Sequence, residues 1–96
     1  MINLTVKQKQ YLKGLAHNLD PVVMIGNKGL TPQVLKEVNT NLEAHELIKI
    51  RVLGDERGAR VNMIEKLCLE SNASLVQHIG KLLVLYRAGD KIILPK

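Results

Sequence analysis

Hydrophobic and polar residues recur with two different periods along this chain, and the changes of period divide it into seven elements. Thr5 is a helix cap by type, and from there to about Asn18 the residues Leu12, Leu15, Ala16 and Leu19 fall at helical spacing. Lys9, Lys13 and His17 recur every four residues and form a separate stripe, with Lys7 near its edge. Gly14 weakens this helix by about 1 kcal/mol relative to alanine. Asp20-Pro21 breaks it, and Pro21–Ile25 reads as a short buried strand. Thr31-Pro32 then opens a second helix, with proline at the first position, where its missing N–H costs nothing. Val34, Leu35, Val38 and Leu42 form its apolar face, and it ends near Ala44-His45.

The period then changes to two. In "ELIKIRVLG", Ile48, Ile50 and Val52 point one way and Lys49 and Arg51 the other. This predicts a strand with one covered face and one wet, basic face. "GDERG" has turn chemistry, and its Asp55-Glu56 pair reads as a solvated turn. Arg60 to about Ser71 is a third helix, with Val61, Ile64, Leu67 and Cys68 inward. "SLVQHIG" and "KLLVLYRAG" are two strands joined at Gly80-Lys81, which reads as a hairpin, and "KIILPK" is a short extended tail. The order α-β-α-β-α-β-β predicts a single compact α/β domain over residues 1–96. Two strand-helix-strand units imply parallel pairing with right-handed crossovers, and the hairpin adds an antiparallel strand, giving a mixed four-stranded sheet. The two crossover helices cover one face; the docking position of the first helix stays open.

Composition narrows this picture. Of 96 residues 46% are hydrophobic, which suits one core, and with only Tyr11 and Tyr86 as aromatics that core is leucine, isoleucine and valine. A lone cysteine, Cys68, permits no internal disulfide and no multi-cysteine zinc site; on the apolar side of its helix it reads as a buried structural thiol. No apolar run approaches the ~18 residues of a membrane span, and the start of the chain has no signal-peptide pattern, so the expected setting is soluble, reducing and cytoplasmic. The net charge is +5. Residues 1–36 carry five lysines against Asp20 alone, whereas residues 37–96 carry nine basic and eight acidic residues. That asymmetry fits a polyanion partner, or else a solvated surface.

"MIGNKGLTPQ" carries the most specific chemistry. Two glycines, Gly26 and Gly29, enclose Asn27 and Lys28 between a strand and a helix. Glycine lets another backbone approach, and the start of the following helix presents N–H groups and a positive dipole end, so such a loop can cradle a phosphate. The spacing fits neither the nucleotide P-loop nor the dinucleotide fingerprint. It fits the GXXG loop by which KH domains clamp a nucleic-acid backbone, although two nearby glycines also occur in ordinary tight turns. The shortage of aromatics argues against RNA recognition by base stacking on RRM or OB-type aromatic platforms. Backbone clamping needs none.

"KQKQYLKGLAH", "PVVMIGNKGLT", "HELIKIRVL" and "QHIGKLLVLYR", in this order, resemble the bacterial YhbY-like proteins, the stand-alone form of the CRM (chloroplast RNA splicing and ribosome maturation) domain. The resemblance runs from Leu4 to about Arg87. It implies a fold like the C-terminal domain of the third bacterial initiation factor, and RNA binding tied to precursors of the large ribosomal subunit. The family's loop falls on Gly26, Asn27, Lys28 and Gly29, and its basic helix on Lys7, Lys9 and Lys13. Two departures lie away from the loop: Ser71-Asn72 stands where Thr-Gly is usual, and Ala88 where a proline often follows Tyr-Arg. Asparagine can still take the left-handed cap conformation at 72.

The remaining candidates each have a structural reading beside the functional one. Lys49 and Arg51 are either an accessory RNA surface or charges that keep an open sheet face soluble. Arg87 is a further candidate RNA contact, with a structural Tyr86-Arg87 pair as the alternative. His17, His45 and His78 have no metal-like spacing and read as surface or capping groups. No nucleophile-base pair, metal cluster or nucleotide loop points to an enzyme, and no cofactor, metal, membrane or small-molecule substrate is expected. The expected partner is RNA, bound by a monomer that assists large-subunit assembly. The alternative is a ribosome-associated module that binds protein.

Overall fold

The first two helix starts are built by the caps their sequence proposes, and the third helix begins three residues before its predicted start. The computed structural model describes residues 3–54 and 57–96, and in the third helix the side chains from Arg60 onward. In α1 (Val6–Ala16), the Thr5 hydroxyl accepts from the Gln8 N–H at 3.1 Å while the Gln8 side chain accepts from the Thr5 N–H at 3.0 Å. This reciprocal box satisfies two end groups at once. In α2 (Pro32–His45), the Thr31 hydroxyl accepts from the Val34 N–H at 3.2 Å and Pro32 takes the first position. Glu46, with φ of 65°, ends that helix in the left-handed region. Asn72, at φ 54°, does the same after α3 (Arg57–Ser71), as the sequence expects. The Asp55-Glu56 turn lies outside the described residues.

Four strands complete the fold: β1 (Val23–Ile25), β2 (Leu47–Val52), β3 (Ser74–Ile79) and β4 (Leu82–Tyr86), in the spatial order β1-β2-β4-β3. β1 and β2 pair in parallel, with Val23 opposite Ile50. The second strand-helix-strand unit departs from expectation: β2 and β3 are not neighbours, because β4 lies between them and pairs antiparallel with both. Burial explains the choice. Leu83, Val84, Leu85 and Tyr86 are all buried, so β4 needs cover on both faces and takes an inner place. Gln77, His78 and Ile79 of β3 are half-buried or exposed and tolerate an edge. Between Leu75 and Gln77 the register of β3 shifts by a bulge, so Val76 has no cross-strand partner and Gln77 stands opposite Val84.

The main core lies on one side of the sheet. Ile25, Ile48, Ile50, Leu83 and Leu85 of the strands meet Val38 and Leu42 of α2 and Ile64, Leu67 and Cys68 of α3. Burial raises the Cys68 thiol above its ordinary value, in keeping with an inert structural role. One inward assignment needs correction: Val61 is 45% exposed, and Met63 packs partly on the core instead. Of the apolar positions at helical spacing near the start, Leu12 and Ala16 are buried, whereas Leu15 and, beyond the end of α1, Leu19 are exposed.

The opposite face is not uniformly wet. α1 docks there, placing Leu12 and Ala16 on Leu47, Val76, Val84 and Tyr86, with Leu4, Ile92 and Leu94 at the margin. The tail is a strap, not a loose end. The Glu46 carboxylate accepts the N–H groups of Lys91 at 2.7 Å and Ile92 at 2.9 Å, and the Gln8 side chain donates to the Pro95 carbonyl at 3.0 Å. Burial works to raise the Glu46 carboxyl, but the two strap N–H groups and the Lys91 ammonium outweigh it and hold it below its ordinary value.

Candidate nucleic-acid interface

The glycine loop is a closed β-turn at the end of β1. The Gly29 N–H donates to the Gly26 carbonyl at 3.0 Å, which leaves Asn27 and Lys28 exposed at the tip. Gly29 has φ of 70°, a conformation that side chains disfavour, so the fold itself asks for glycine there. Gly26 is different. Its φ lies outside the left-handed region, and a Cβ added to it would meet nothing within 4 Å. Nothing among the described residues requires its lack of a side chain. The loop is anchored on both flanks: the Leu53 N–H donates to the Ile25 carbonyl at 2.8 Å, and Leu30 packs on the main core.

β1, β2 and β3 all stop at this end of the sheet, so three connections gather beside the loop. Arg60 ties two of them together, donating to the Gly80 carbonyl at 2.8 Å and the Gly54 carbonyl at 2.7 Å. The chain pattern around Arg60 gave no hint of this double bond, since its acceptors are backbone atoms six and twenty residues away.

On the α1 side of the sheet the basic residues follow one another. Arg51 stands opposite Met24, two residues before Gly26, and Lys49 follows on the same face about 7 Å along the strand. Lys49 also lines a groove of about 520 Å³ between α1 and the sheet, together with Lys13, Gly14, His17 and Gln77. A Cβ at Gly14 would meet nothing within 4 Å, so no packing among the described residues calls for glycine there. Among the described residues, the side chains of Lys13, Lys49 and Arg51 have no hydrogen-bond or ion-pair partner. The structure thus brings Lys13 and His17 of the helix stripe to Lys49, with Lys9 one turn back on the same stripe. It does not bring Lys7 there. Lys7 lies roughly 160° around the helix from the Leu12–Ala16 face and points away from the body.

Of the two readings of Arg87, the structure shows the structural one: its guanidinium is engaged inside the fold. Its guanidinium donates to the Asn39 side chain at 2.8 Å, the Ser71 carbonyl at 3.0 Å and the Asn39 carbonyl at 3.0 Å, joining α2 to the end of α3. Tyr86 beside it is buried. Of the histidines, His78 contacts the Gly80 carbonyl at 3.1 Å, His45 lies in the last turn of α2 and His17 in the groove.

The CRS1/YhbY (CRM) domain model matches residues 4–87, from just before the first cap to the Tyr86-Arg87 pair. The chain belongs to the CRM family. A Haemophilus influenzae relative named "RNA-binding protein" is 50% identical over all of this chain and 99% of its own length. YqeI of Bacillus subtilis, named as a probable RNA-binding protein, is 39% identical over 92% of both chains. The CRM fold itself is matched by the solution structure of SAV1595 from Staphylococcus aureus, a candidate RNA-binding protein, with a TM-score of 0.85 and 40% identity over 97% of this chain and all of that one. These relatives are named for binding and not for catalysis. The matched span leaves out the strap residues beyond Arg87.

Proposed function

We propose that this CRM domain binds RNA by its backbone and assists assembly of the large ribosomal subunit. The single observation that carries the reading is Gly26. Neither its backbone angle nor its described neighbours call for glycine, and its open side leaves room for a ligand backbone to approach. A lysine at the adjacent tip and the start of α2 behind it suit a phosphate. Asn27 and Lys28 contact that phosphate, the backbone of Gly26 and Gly29 allows its close approach, and Arg51, Lys49, Lys13 and Lys9 track the strand away from it. The names of the relatives support RNA as the polymer. A clamp of this kind reads backbone path more than base edges, so a specific task calls for a folded RNA target, and precursor ribosomal RNA is such a target.

The test is sedimentation of cell lysate. The protein is expected with immature large subunits at low salt and released from them at high salt, because phosphate contacts are screened. Finding it on small subunits, on polysomes or free of RNA at low salt overturns the assignment. Salt-insensitive association, with no binding to naked RNA, favours the protein-binding alternative.

A further inference from the structure

One cross-strand row remains uncovered on the face that α1 occupies. Met24, Arg51, Leu82 and Ile79 stand opposite one another across all four strands, at the end of the sheet next to the glycine loop. All four belong to the α1 face, since their neighbours Ile25, Ile50, Val52 and Leu83 point into the main core. α1 leaves most of the row open: Ile79 and Leu82 line the groove beside the helix, and Leu82 is half-buried. Met24 and Ile79 are each 58% exposed and Arg51 is exposed, while Val84, in the adjoining row, is buried beneath the helix. The row spans about 14 Å at ordinary strand spacing. It is a flat apolar strip with a guanidinium in its middle and no acidic residue in it.

We propose that this row is a platform for unpaired RNA bases, placed so that a strand clamped by the loop lays its next bases across it. The inference rests on the backbone-binding reading above and adds the form of the RNA: single-stranded at this point, bases turned toward the protein. The argument is chemical complementarity. Bases present flat apolar faces, and an arginine plane stacks on them as an aromatic ring does. Other RNA-binding sheets of four strands stack two or three bases on aromatic side chains, which this chain lacks. Here Arg51 is the stacking plane, with Met24 on one side and Leu82 and Ile79 on the other as apolar walls. Lys28 beyond the row and Lys49 in the next row supply the charge for the phosphates on either side. Stacking tolerates any base, so the platform discriminates strandedness and not sequence. A protein segment is the less suited occupant, because the surrounding cations select a polyanion.

Two short RNA probes with the same sugar–phosphate backbone test this, one carrying its bases and one abasic at successive positions, each titrated against the full chain. Wild type is expected to bind the base-bearing probe about ten-fold more tightly, the lower part of the range for one stacked base. Arg51→Lys keeps the charge and removes the plane, so it should erase most of that ratio while leaving the salt dependence of binding unchanged. Met24→Ser with Ile79→Ser should narrow the ratio in the same direction, with a thermal melt to show that the exposed changes leave the fold intact. Equal affinity of wild type for both probes overturns the platform but leaves backbone binding standing. A ratio unaffected by either variant also overturns it, as does a change of oligomeric state in the Met24/Ile79 variant with RNA binding untouched. Failure of wild type to bind either probe overturns the backbone reading as well.

Discussion

The two ends of this sheet use charge differently: both hold an arginine inside the fold, Arg87 at one and Arg60 at the other, but only one leaves further cations in open water. At the end where β2 begins and β4 stops, ionised groups turn inward. Glu46 holds the strap by its N–H groups, Lys91 donates back to the Ala44 carbonyl, and Arg87 joins α2 to α3. At the other end, Lys28 stands at the tip of an open turn and Arg51 on an uncovered row. A buried or half-buried charge must find partners inside the fold, so it contributes shape. A charge left in water without partners contributes little to stability and remains available to a ligand. The contrast separates two arginines, Arg87 bonded inside the fold and Arg51 left in water.

The strongest way to break the comparison is to reverse charge at the open end. Asn27→Asp with Lys28→Asp should lower RNA affinity on the order of a hundred-fold at low salt. Both residues are exposed, so the thermal midpoint should stay close to that of wild type. Unchanged affinity in a folded protein would remove the loop from the interface.

The converse change is Arg87→Ala. Losing its three hydrogen bonds should destabilise the domain by about 2–3 kcal/mol, lowering the melting temperature by about 10 °C or more, with RNA affinity of the folded protein retained. Arg51→Ala should do the reverse. If Arg87→Ala weakens RNA binding at temperatures where it is fully folded, the division between the two ends fails.

Smaller effects sharpen the outline of the interface. Replacing Lys9 and Lys13 by glutamine should weaken binding to all single-stranded sequences several-fold. It should also flatten the log-affinity against log-salt slope by roughly 0.7 for each phosphate that is no longer neutralised. Lys7→Gln should leave that slope alone, since Lys7 points away from the groove.

The smallest effect belongs to pH at the closed end. Glu46 is held below its ordinary value, so its contribution is full above the unfolded carboxyl range, about 4.3, and is lost as pH falls through the lower folded value. Protection of the Lys91 and Ile92 amides against hydrogen exchange should therefore fall in acid more than protection in the core. Glu46→Gln should remove that pH dependence. Equal acid sensitivity in the two proteins would mean that another group holds the strap.

Much of this was legible in the chain, for reasons that name where legibility stops. Caps such as Thr5 and Thr31 are local, and their partners lie three residues away, so sequence suffices. The alternation in β2 also reads directly, because Ile48, Ile50 and Val52 share one face. The same alternation carried through Leu83 and Leu85 puts Arg87 on the helix-covered side, a signal in the chain that points to a structural role. Likewise "VVMI" places Met24 opposite in direction to Val23 and Ile25, although its exposure depends on where α1 stops. Strand order was not legible. Whether β3 or β4 lies beside β2 is decided by burial on both faces, which no single strand pattern states. The strap was equally hidden, since its anchor Glu46 and its N–H groups are 45 and 46 residues apart.

The bulge in β3 acts as a phase shifter. Val76 and Gln77 together occupy the place of one residue, so both turn to the α1 side and the alternation resumes one step late. That delay delivers Ile79 to the uncovered rung and His78 to the core-facing side, opposite Leu83. In a regular ladder Val76 would stand opposite Val84, Gln77 would be driven against the main core, and His78 would take the rung in place of Ile79. The spare residue therefore keeps an amide out of the core and an imidazole off the open row. It also works as slack. A chain shortened by one residue at the bulge would lose the packing of Val76 but leave His78 and Ile79 on their present faces. An edge strand pairs on only one side, so it can carry such slack without disturbing a second neighbour. The chemistry at the end of the row is thus insulated from a miscount earlier in the same strand.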